Sequence, residues 1–431
     1  MRGLSRQATA PHLRECPGCG LLQSVPALAP GTSARCPRCS TTLRRVTTHR
    51  RDHSAALTLA ALVLLVVTCS TNLMSVQTAG IRHIADLFAG PEELARRHMA
   101  ALAAVVLFVT VVAPFGRTGA LLYVLARSHQ TSPPRHLRRL YAWAEKLRPW
   151  SMIDVFVLGV FVAYVKLGDV VTIGLSTGVY ALLGLMFVLV WIDSGLDRHV
   201  LWEAIDRDAA AIDRVPMAEG IIGCEVCGYI NTGFSRRQHC QRCDSRLHRR
   251  KPDSIARTWA LVLAAAVLYV PANYFPVLTV VQLGAGQPST ILGGIRELLS
   301  ARMYPLAALV FFASILVPAL KLVGLVFMLL MTQMGSMAWL RDRTRLYRIV
   351  ALIGRWSMID IFMESLLGAL VVFGSVITIQ PGIGAIAFCS VVILTMIAAE
   401  TFDPRLMWDA AGFNQQRVSG ARSHRAVGDV N

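Results

Sequence analysis

The apolar positions of this chain fall in long unbroken blocks, not in the period-2 alternation of a half-buried strand or the period-3.6 stripe of a surface helix. Eight blocks stand out, at 55–75, 99–126, 150–168, 175–194, 257–277, 303–331, 357–374 and 381–400. A helix needs about 20 apolar residues to cross the hydrocarbon core of a bilayer. The pattern therefore predicts about eight membrane-spanning helices. The shortest blocks, the third, fourth, seventh and eighth, form tightly connected pairs. A full crossing is favoured there over a re-entrant hairpin.

The polar segments between blocks are uneven in charge. Segment 127–149 carries Arg127, Arg135, Arg138, Arg139, Lys146 and Arg148 against Glu145, and 332–356 carries Arg341, Arg343, Arg345, Arg348 and Arg355 against Asp342. Segments 76–98 and 278–302 are nearly balanced. Lys and Arg collect in cytoplasmic loops, so the basic segments, the N-terminus and the C-terminal tail are expected in the cytoplasm. Composition fits this reading. The chain of 431 residues is 54% hydrophobic and 16% charged, with a net charge of +17, whereas a soluble domain carries about 25% charged residues. Residues 1–53 are arginine-rich without an apolar core. No cleavable signal peptide is expected, and the first block would act as an uncleaved anchor.

The two halves of the chain repeat each other. Trp150-Ser151-Met152-Ile153-Asp154-Val155-Phe156 recurs as Trp356-Ser357-Met358-Ile359-Asp360-Ile361-Phe362, and the same offset pairs Gly168 with Gly374, Asp197 with Asp403 and Trp202 with Trp408. Pro114 and Arg117 correspond to Pro318 and Lys321. The expected fold class is an all-α polytopic membrane protein made of two tandem four-helix transmembrane blocks, each preceded by a small cytoplasmic zinc ribbon. The expected domains are ribbon 1 at 12–48, block 1 at 54–205, ribbon 2 at 220–252, block 2 at 256–412 and a disordered cytoplasmic tail at 413–431. Four crossings per repeat give both blocks one orientation, related by a pseudo-two-fold axis along the membrane normal. In transporters the binding site often lies at such a repeat interface.

Eight of the ten cysteines form two tetrads, Cys16-x2-Cys19 with Cys36-x2-Cys39 and Cys224-x2-Cys227 with Cys240-x2-Cys243. A two-residue gap lets both thiolates of a knuckle face one ion, and two knuckles complete a tetrahedral S4 shell that favours zinc, with iron next. Four thiolates leave no open position for substrate, so the metal is expected to be structural, folding a module too small to bury a core. Nothing resembles the strand–helix context of a thioredoxin dithiol. Arginine-bearing ribbons can bind nucleic acid. Here the charges flank the bilayer, where anionic headgroups and topology account for them, and no nucleic-acid partner is expected.

Ionisable residues inside spans are costly and mark candidate sites. Asp154 and Asp360 sit near the start of spans three and seven, and Arg117 and Lys321 follow the prolines of spans two and six. Matching depth suggests an acid–base pair in each repeat. Snorkelling of the bases and helix-capping by the acids are the structural alternatives. Glu364 lies one turn after Asp360, and two close carboxylates can share a proton. Lys166 lies deep along span three. The lipid- or proton-coupling candidates are Asp154, Asp360, Lys321, Arg117, Lys166 and Glu364. No phosphate-cradling loop, dinucleotide fingerprint, zincin motif or nucleophile elbow is present, so no enzymatic activity and no ATP hydrolysis are expected.

Together the two tetrads, the two four-span blocks, the Trp-Ser-Met runs, Tyr164-Val165-Lys166-Leu167 and the closing Thr401-Phe402-Asp403-Pro404-Arg405-Leu406-Met407-Trp408-Asp409 resemble the paraquat-inducible protein A family, over nearly the whole chain. Members of that family are bacterial inner-membrane proteins that act with MCE (mammalian cell entry) proteins, which form hydrophobic tunnels across the periplasm. The resemblance implies an inner-membrane subunit of an intermembrane lipid transport system, passing membrane lipid to or from a periplasmic MCE-domain partner and supporting envelope integrity. It places Asp154, Asp360, Arg117, Lys321 and Lys166 at family motif positions, with Arg117 standing where comparison with Lys321 leads one to expect lysine. Two other functions fit the residues: a membrane anchor for the tunnel that moves no lipid itself, and a redox- or stress-sensing membrane protein.

Overall fold

The computed structural model describes residues 12–26, 28–47, 51–78, 81–128, 130, 133–168, 172–206, 221–231, 239–282, 285–370, 372–373 and 377–413. The expected tail falls, beyond Phe413, outside the described residues. The first cysteine module contains two short hairpins, β1 (His12–Glu15) with β2 (Leu22–Val25) and β3 (Ser33–Arg35) with β4 (Thr42–Arg45). Block 1 follows as α1 (Arg51–Ser70), β5 (Met74–Thr78), β6 (Ile81–Ala85), α2 (Ala89–Arg96), α3 (Ala100–Leu107), α4 (Ala113–Arg127), α5 (His136–Leu147), α6 (Ile153–Gly168), β7 (Thr172–Leu175), α7 (Thr177–Gly195) and α8 (Arg198–Ile205). The second module contributes β8 (Ile222–Gly223) and β9 (Ile230–Asn231). Block 2 runs α9 (Ser254–Tyr274), β10 (Leu278–Gln282), β11 (Ala285–Ser289), α10 (Ile291–Ser300), α11 (Tyr304–Val310), α12 (Val317–Gln333), α13 (Leu340–Gly354), α14 (Ile359–Leu370), β12 (Val372–Phe373), β13 (Ile377–Pro381), α15 (Ile383–Thr401) and α16 (Arg405–Ala410). Apart from β12, the order of elements is the same in the two blocks.

Among the described residues seven helical runs are long and apolar enough to cross a membrane: Asp52–Ser70, Ala100–Arg127, His136–Val165, Thr177–Gly195, Ser254–Tyr274, Tyr304–Gln333 and Ile383–Thr401. The chain is thus a multi-pass membrane protein. The seventh sequence block, 357–374, departs from expectation. Its helix α14 has only 12 residues, about 18 Å against a core of about 30 Å. Protein surrounds it instead of lipid. It packs against α6 and α2, and ten of its residues are buried, leaving Glu364 and Ala369 less covered. The chain then continues through β12 and pairs β13 with β10, from Leu278↔Pro381 to Gln282↔Ile377.

The segments 76–98 and 278–302, expected as plain loops, contain structure that charge counting misses. Each begins within a hairpin and ends in an amphipathic helix, α2 or α10. The strands form two antiparallel sheets, of order β6-β5-β7 and β11-β10-β13-β12, which pair the exit of each block's first helix with the entry to its last. The basic segments on the opposite side are likewise helical. In α5 the buried face is Leu137, Tyr141, Ala142 and Ala144, while its arginines point away or pair with other elements.

Each long second span is interrupted by a π-helical turn, Phe108–Val112 in block 1 and Phe311–Leu316 in block 2. Pro114 and Pro318 sit just beyond these turns. Proline cannot donate to the helical ladder and crowds the preceding turn. A π turn absorbs that mismatch by shifting the hydrogen-bond register. Among its consequences, Ser314 faces inward and is buried.

On the side opposite the sheets, each cysteine module docks on the other repeat's block. Module 1 shares a hydrophobic cluster with Val262, Leu325, Leu340 and Trp408 of block 2, and module 2 shares one with Leu137, Tyr141, Trp202 and Ile205 of block 1. Some polar contacts follow the same crossing, while others, such as Arg250 with Asp409, hold a module to its own block. Arg348 donates to the carbonyls of Cys39 (3.1 Å) and Ser40 (3.4 Å), and Arg242 pairs with Asp206 (3.2 Å) and Arg139 with Asp244 (2.6 Å). Both modules therefore share a side with α5, α13, α8 and α16.

Candidate functional site

Two sites in the structure carry chemistry. The first is the pair of cysteine tetrads. All eight thiols are buried. Cys16 Sγ lies 3.5 Å from Cys39 Sγ and Cys19 Sγ 3.6 Å from Cys36 Sγ; the second module repeats these distances for Cys224–Cys243 and Cys227–Cys240. These separations are far longer than a disulfide of about 2.05 Å. They approach the edge of about 3.8 Å in a tetrahedron with metal–sulfur bonds of about 2.3 Å. Local turns fix the geometry. The residue after each second cysteine, Gly20, Ser40, Gly228 and Asp244, has φ between 59° and 71°, and its amide donates back to the first cysteine's carbonyl at 2.8–2.9 Å. Each tetrad can hold a metal ion in its four thiolates.

The modules are locked together by buried ions that the sequence motif did not reveal. Arg405, 4% exposed, donates to both oxygens of Asp403 (2.9 Å each) and to Glu15 Oε1 (3.4 Å), and also to Glu225. Arg250 grips Asp409 with two bonds, 2.6 and 3.0 Å, and reaches Glu15 (3.4 Å). Glu15 Oε2 accepts from the Gly223 amide (2.8 Å). Glu15 adjoins the first tetrad and Glu225 lies inside the second, so the closing Asp403-Pro404-Arg405 motif ties both cysteine modules to α16. Burial pushes the Asp403 carboxyl up, but the bonds and charge of Arg405 outweigh it and hold the group below the usual carboxylate range.

The second site lies within block 2. Asp360 stands in the first turn of α14, where the helix dipole favours a carboxylate. It lines a cavity of about 60 Å³ with Glu364, Ser314, Thr290, Met363 and Phe388. The helical spacing placed the two carboxylates on one face, as the structure has them. Glu364 also lines a second cavity, of about 20 Å³, with Glu93 and Arg97 of α2.

The acid–base pairs expected within each repeat do not form. Arg117 pairs with Asp193 of α7, which also faces Arg148 (3.5 Å), while Asp154 is exposed on the protein surface. Sequence analysis passed over Asp193 because it sits at the end of its span, one of several polar residues there. Lys321 is 2% exposed. It donates to Gly354 O (3.4 Å) and Ser357 Oγ (3.3 Å), and among the described residues no carboxylate pairs with it. The reason is the path of α13 and the 3-10 turn after it, which bring Gly354 and Ser357 to the ammonium. The side chain of Lys166 lies outside those described.

Seven apolar runs among the described residues, a pair of carboxylates on α14 and two cysteine tetrads define a multi-pass membrane protein whose polar chemistry is divided between the span interior and one face. Sequence comparison then gives the family. The paraquat-inducible protein A family model matches residues 52–206 and again 255–412, and the chain belongs to that family. It is 34% identical over 414 residues to the intermembrane transport protein PqiA of Escherichia coli K12, covering 91% of this chain and 95% of the relative. It is 31% identical over 410 residues to the lipophilic envelope-spanning tunnel protein A of the same strain (95% and 94%). A probable intermembrane transport protein of Haemophilus influenzae is 27% identical over 406 residues (91% and 95%). No solved structure matches the chain significantly.

Proposed function

We propose that this chain is the inner-membrane subunit of an intermembrane lipid transport system, passing phospholipid to or from a periplasmic tunnel built of MCE domains. Two relatives carry names of intermembrane transport proteins and a third that of an envelope-spanning tunnel protein. The observation that carries the reading is the acidic cavity of block 2. It lies between α14 and the sheet-side elements, where Ser289 and Thr290 close it. A cavity of about 60 Å³ is far smaller than a lipid, so loading requires α10 and the π turn to part from α14.

On this reading the sheets face the periplasm and meet the partner, while the cysteine modules, the N-terminus and the C-terminus are cytoplasmic. Asp360 and Glu364 take up or release a proton as the headgroup moves, and Lys321 attracts phosphate. Zinc fills both tetrads, each of which matches its tetrahedral thiolate preference. The metals fold the modules; the chemistry of transport belongs to the spans. A photo-crosslinking amino acid at Ser314 or Met363 tests the reading in cells. Capture of phospholipid at these positions supports it. A reagent that labels only protein there, with the same reagent capturing lipid on the outer face of α9, refutes it.

A further inference from the structure

A larger cavity lies on the module side, between elements of the two repeats. It measures about 870 Å³, within the range of ligand sites. One wall is the end of α5 with Pro149 and Trp150. The other is α13 with Ala351, Leu352 and Gly354. Met396 and Ala399 of α15 form the apolar floor. Two pairs of positions equivalent at the 206-residue offset line it together, Glu145 with Ala351 and Lys146 with Leu352, so both halves build its walls.

The charges at its rim are not equivalent. Arg198 is bound to Glu145 (2.8 Å), Arg348 to the carbonyls of module 1, and Glu225 to Arg405. Lys146, which lies over the Trp143 ring, and Lys251, which donates to the Glu400 carbonyl, form no salt bridge among the described residues, although the Glu400 carboxylate at the rim feels the charge of Lys251. The two ammonium groups come from opposite repeats. Deeper in, the wall residue Gly354 touches Lys321: a Cβ there would stand 3.9 Å from Lys321 Nζ. A buried ammonium without a carboxylate is costly, and an anion on the far side of a glycine would relieve that cost.

We propose that this cavity binds the phosphodiester headgroup of a phospholipid from the adjacent leaflet, with the phosphate between Lys146 and Lys251 and the acyl chains along Trp150, Leu352 and Met396. Free phosphate esters share the headgroup chemistry, but the apolar floor and the position at the span ends select a lipid. The inference rests on the membrane transport reading only for the fate of that lipid, which enters here before it reaches the acidic cavity.

The test uses the full-length protein in nanodiscs that contain phosphatidylglycerol with a photoactivatable group near its headgroup. Crosslinks are mapped by mass spectrometry. The expected labels fall on 146–150, 351–352 and 396–400, and Ala351→Trp, which fills the cavity, lowers them by about fivefold or more. Labels on the outer face of α9 stay unchanged and report an intact fold. Excess glycerol phosphate does not compete. Absence of these labels, labels unaltered by Ala351→Trp, or displacement by glycerol phosphate would each overturn the proposal, the last by assigning the site to a soluble phosphate ester. Labels that persist in a protein unable to transfer lipid would leave this site standing and sink the transport reading.

Discussion

Arg405 shows how much one side chain can organise. It meets Asp403, Glu15 and Glu225, which belong to block 2, module 1 and module 2. Removing one partner of a buried ion pair costs about 3–5 kcal/mol, because the remaining charges stay buried. Arg405→Ala is therefore expected to lower the melting temperature of the purified protein by several degrees and to expose both modules to protease, while Arg345→Ala, at an exposed pair, leaves both unchanged. His199 makes a second prediction. Arg14 donates to its Nδ1, and its Nε2 faces Glu203 at 3.0 Å, an arrangement that suits the neutral ring. Burial and the charges of Arg14 and Arg44, opposed by Glu203, lower its pKa. The folded state then binds fewer protons than the unfolded state below the ordinary histidine value of about 6.5. This contribution to stability is full above that value and is lost as pH falls through the lower, folded one. Melting temperature should drop between pH 7.5 and 5.5, and His199→Gln should flatten the drop. An unchanged slope in the variant would remove His199 from the account.

Among the elements, α14 carries the most consequence. It is too short to span lipid, so its stability depends on the protein around it. Gly159 of α6 lets the two helices approach: a Cβ there would come 2.9 Å from the Cβ of Phe362, and the rings of Phe156 and Phe362 meet edge to face at 5.4 Å. Gly159→Val should cost about 1–3 kcal/mol through overpacking, read as a lower melting temperature, and Gly184→Val, where only Leu64 is near, should cost less. The sequence displayed the long apolar helices clearly because lipid and a protein interior, which encloses most of α15, both demand unbroken apolar runs. It did not display the hairpins of residues 74–85 and 278–289, whose pairing joins distant segments, or the π turns, which depend on helix register. The buried helix α14 looked like one more span because enclosure by protein and by lipid both demand apolar residues.

The same logic holds for the whole molecule. Cysteine spacing was enough to place eight ligands in two tetrads, since a knuckle is local. The choice of docking surface was not legible, because the crossed arrangement of modules is set by contacts such as Arg348 with Cys39, far apart in sequence. For the charged candidates, spacing put Asp360 and Glu364 on one helix face, where both line one cavity, whereas Arg117 pairs with Asp193 and not with Asp154, since partners on different helices are chosen by packing. The crossing makes a further prediction. A chelator that strips both tetrads should loosen each block from the other repeat's module and lower the melting temperature, and elemental analysis should find close to two zinc ions per chain beforehand. Well under two, with the fold intact, would remove metal from the account.

The measurement that bears most directly on the transport proposal is transfer of labelled phospholipid from proteoliposomes containing this chain and the proposed MCE-domain partner to acceptor vesicles. Wild-type protein should transfer lipid, whereas Asp360→Asn and Lys321→Met, folded and inserted at normal levels, should not. Equal transfer by wild type and both variants would contradict the account.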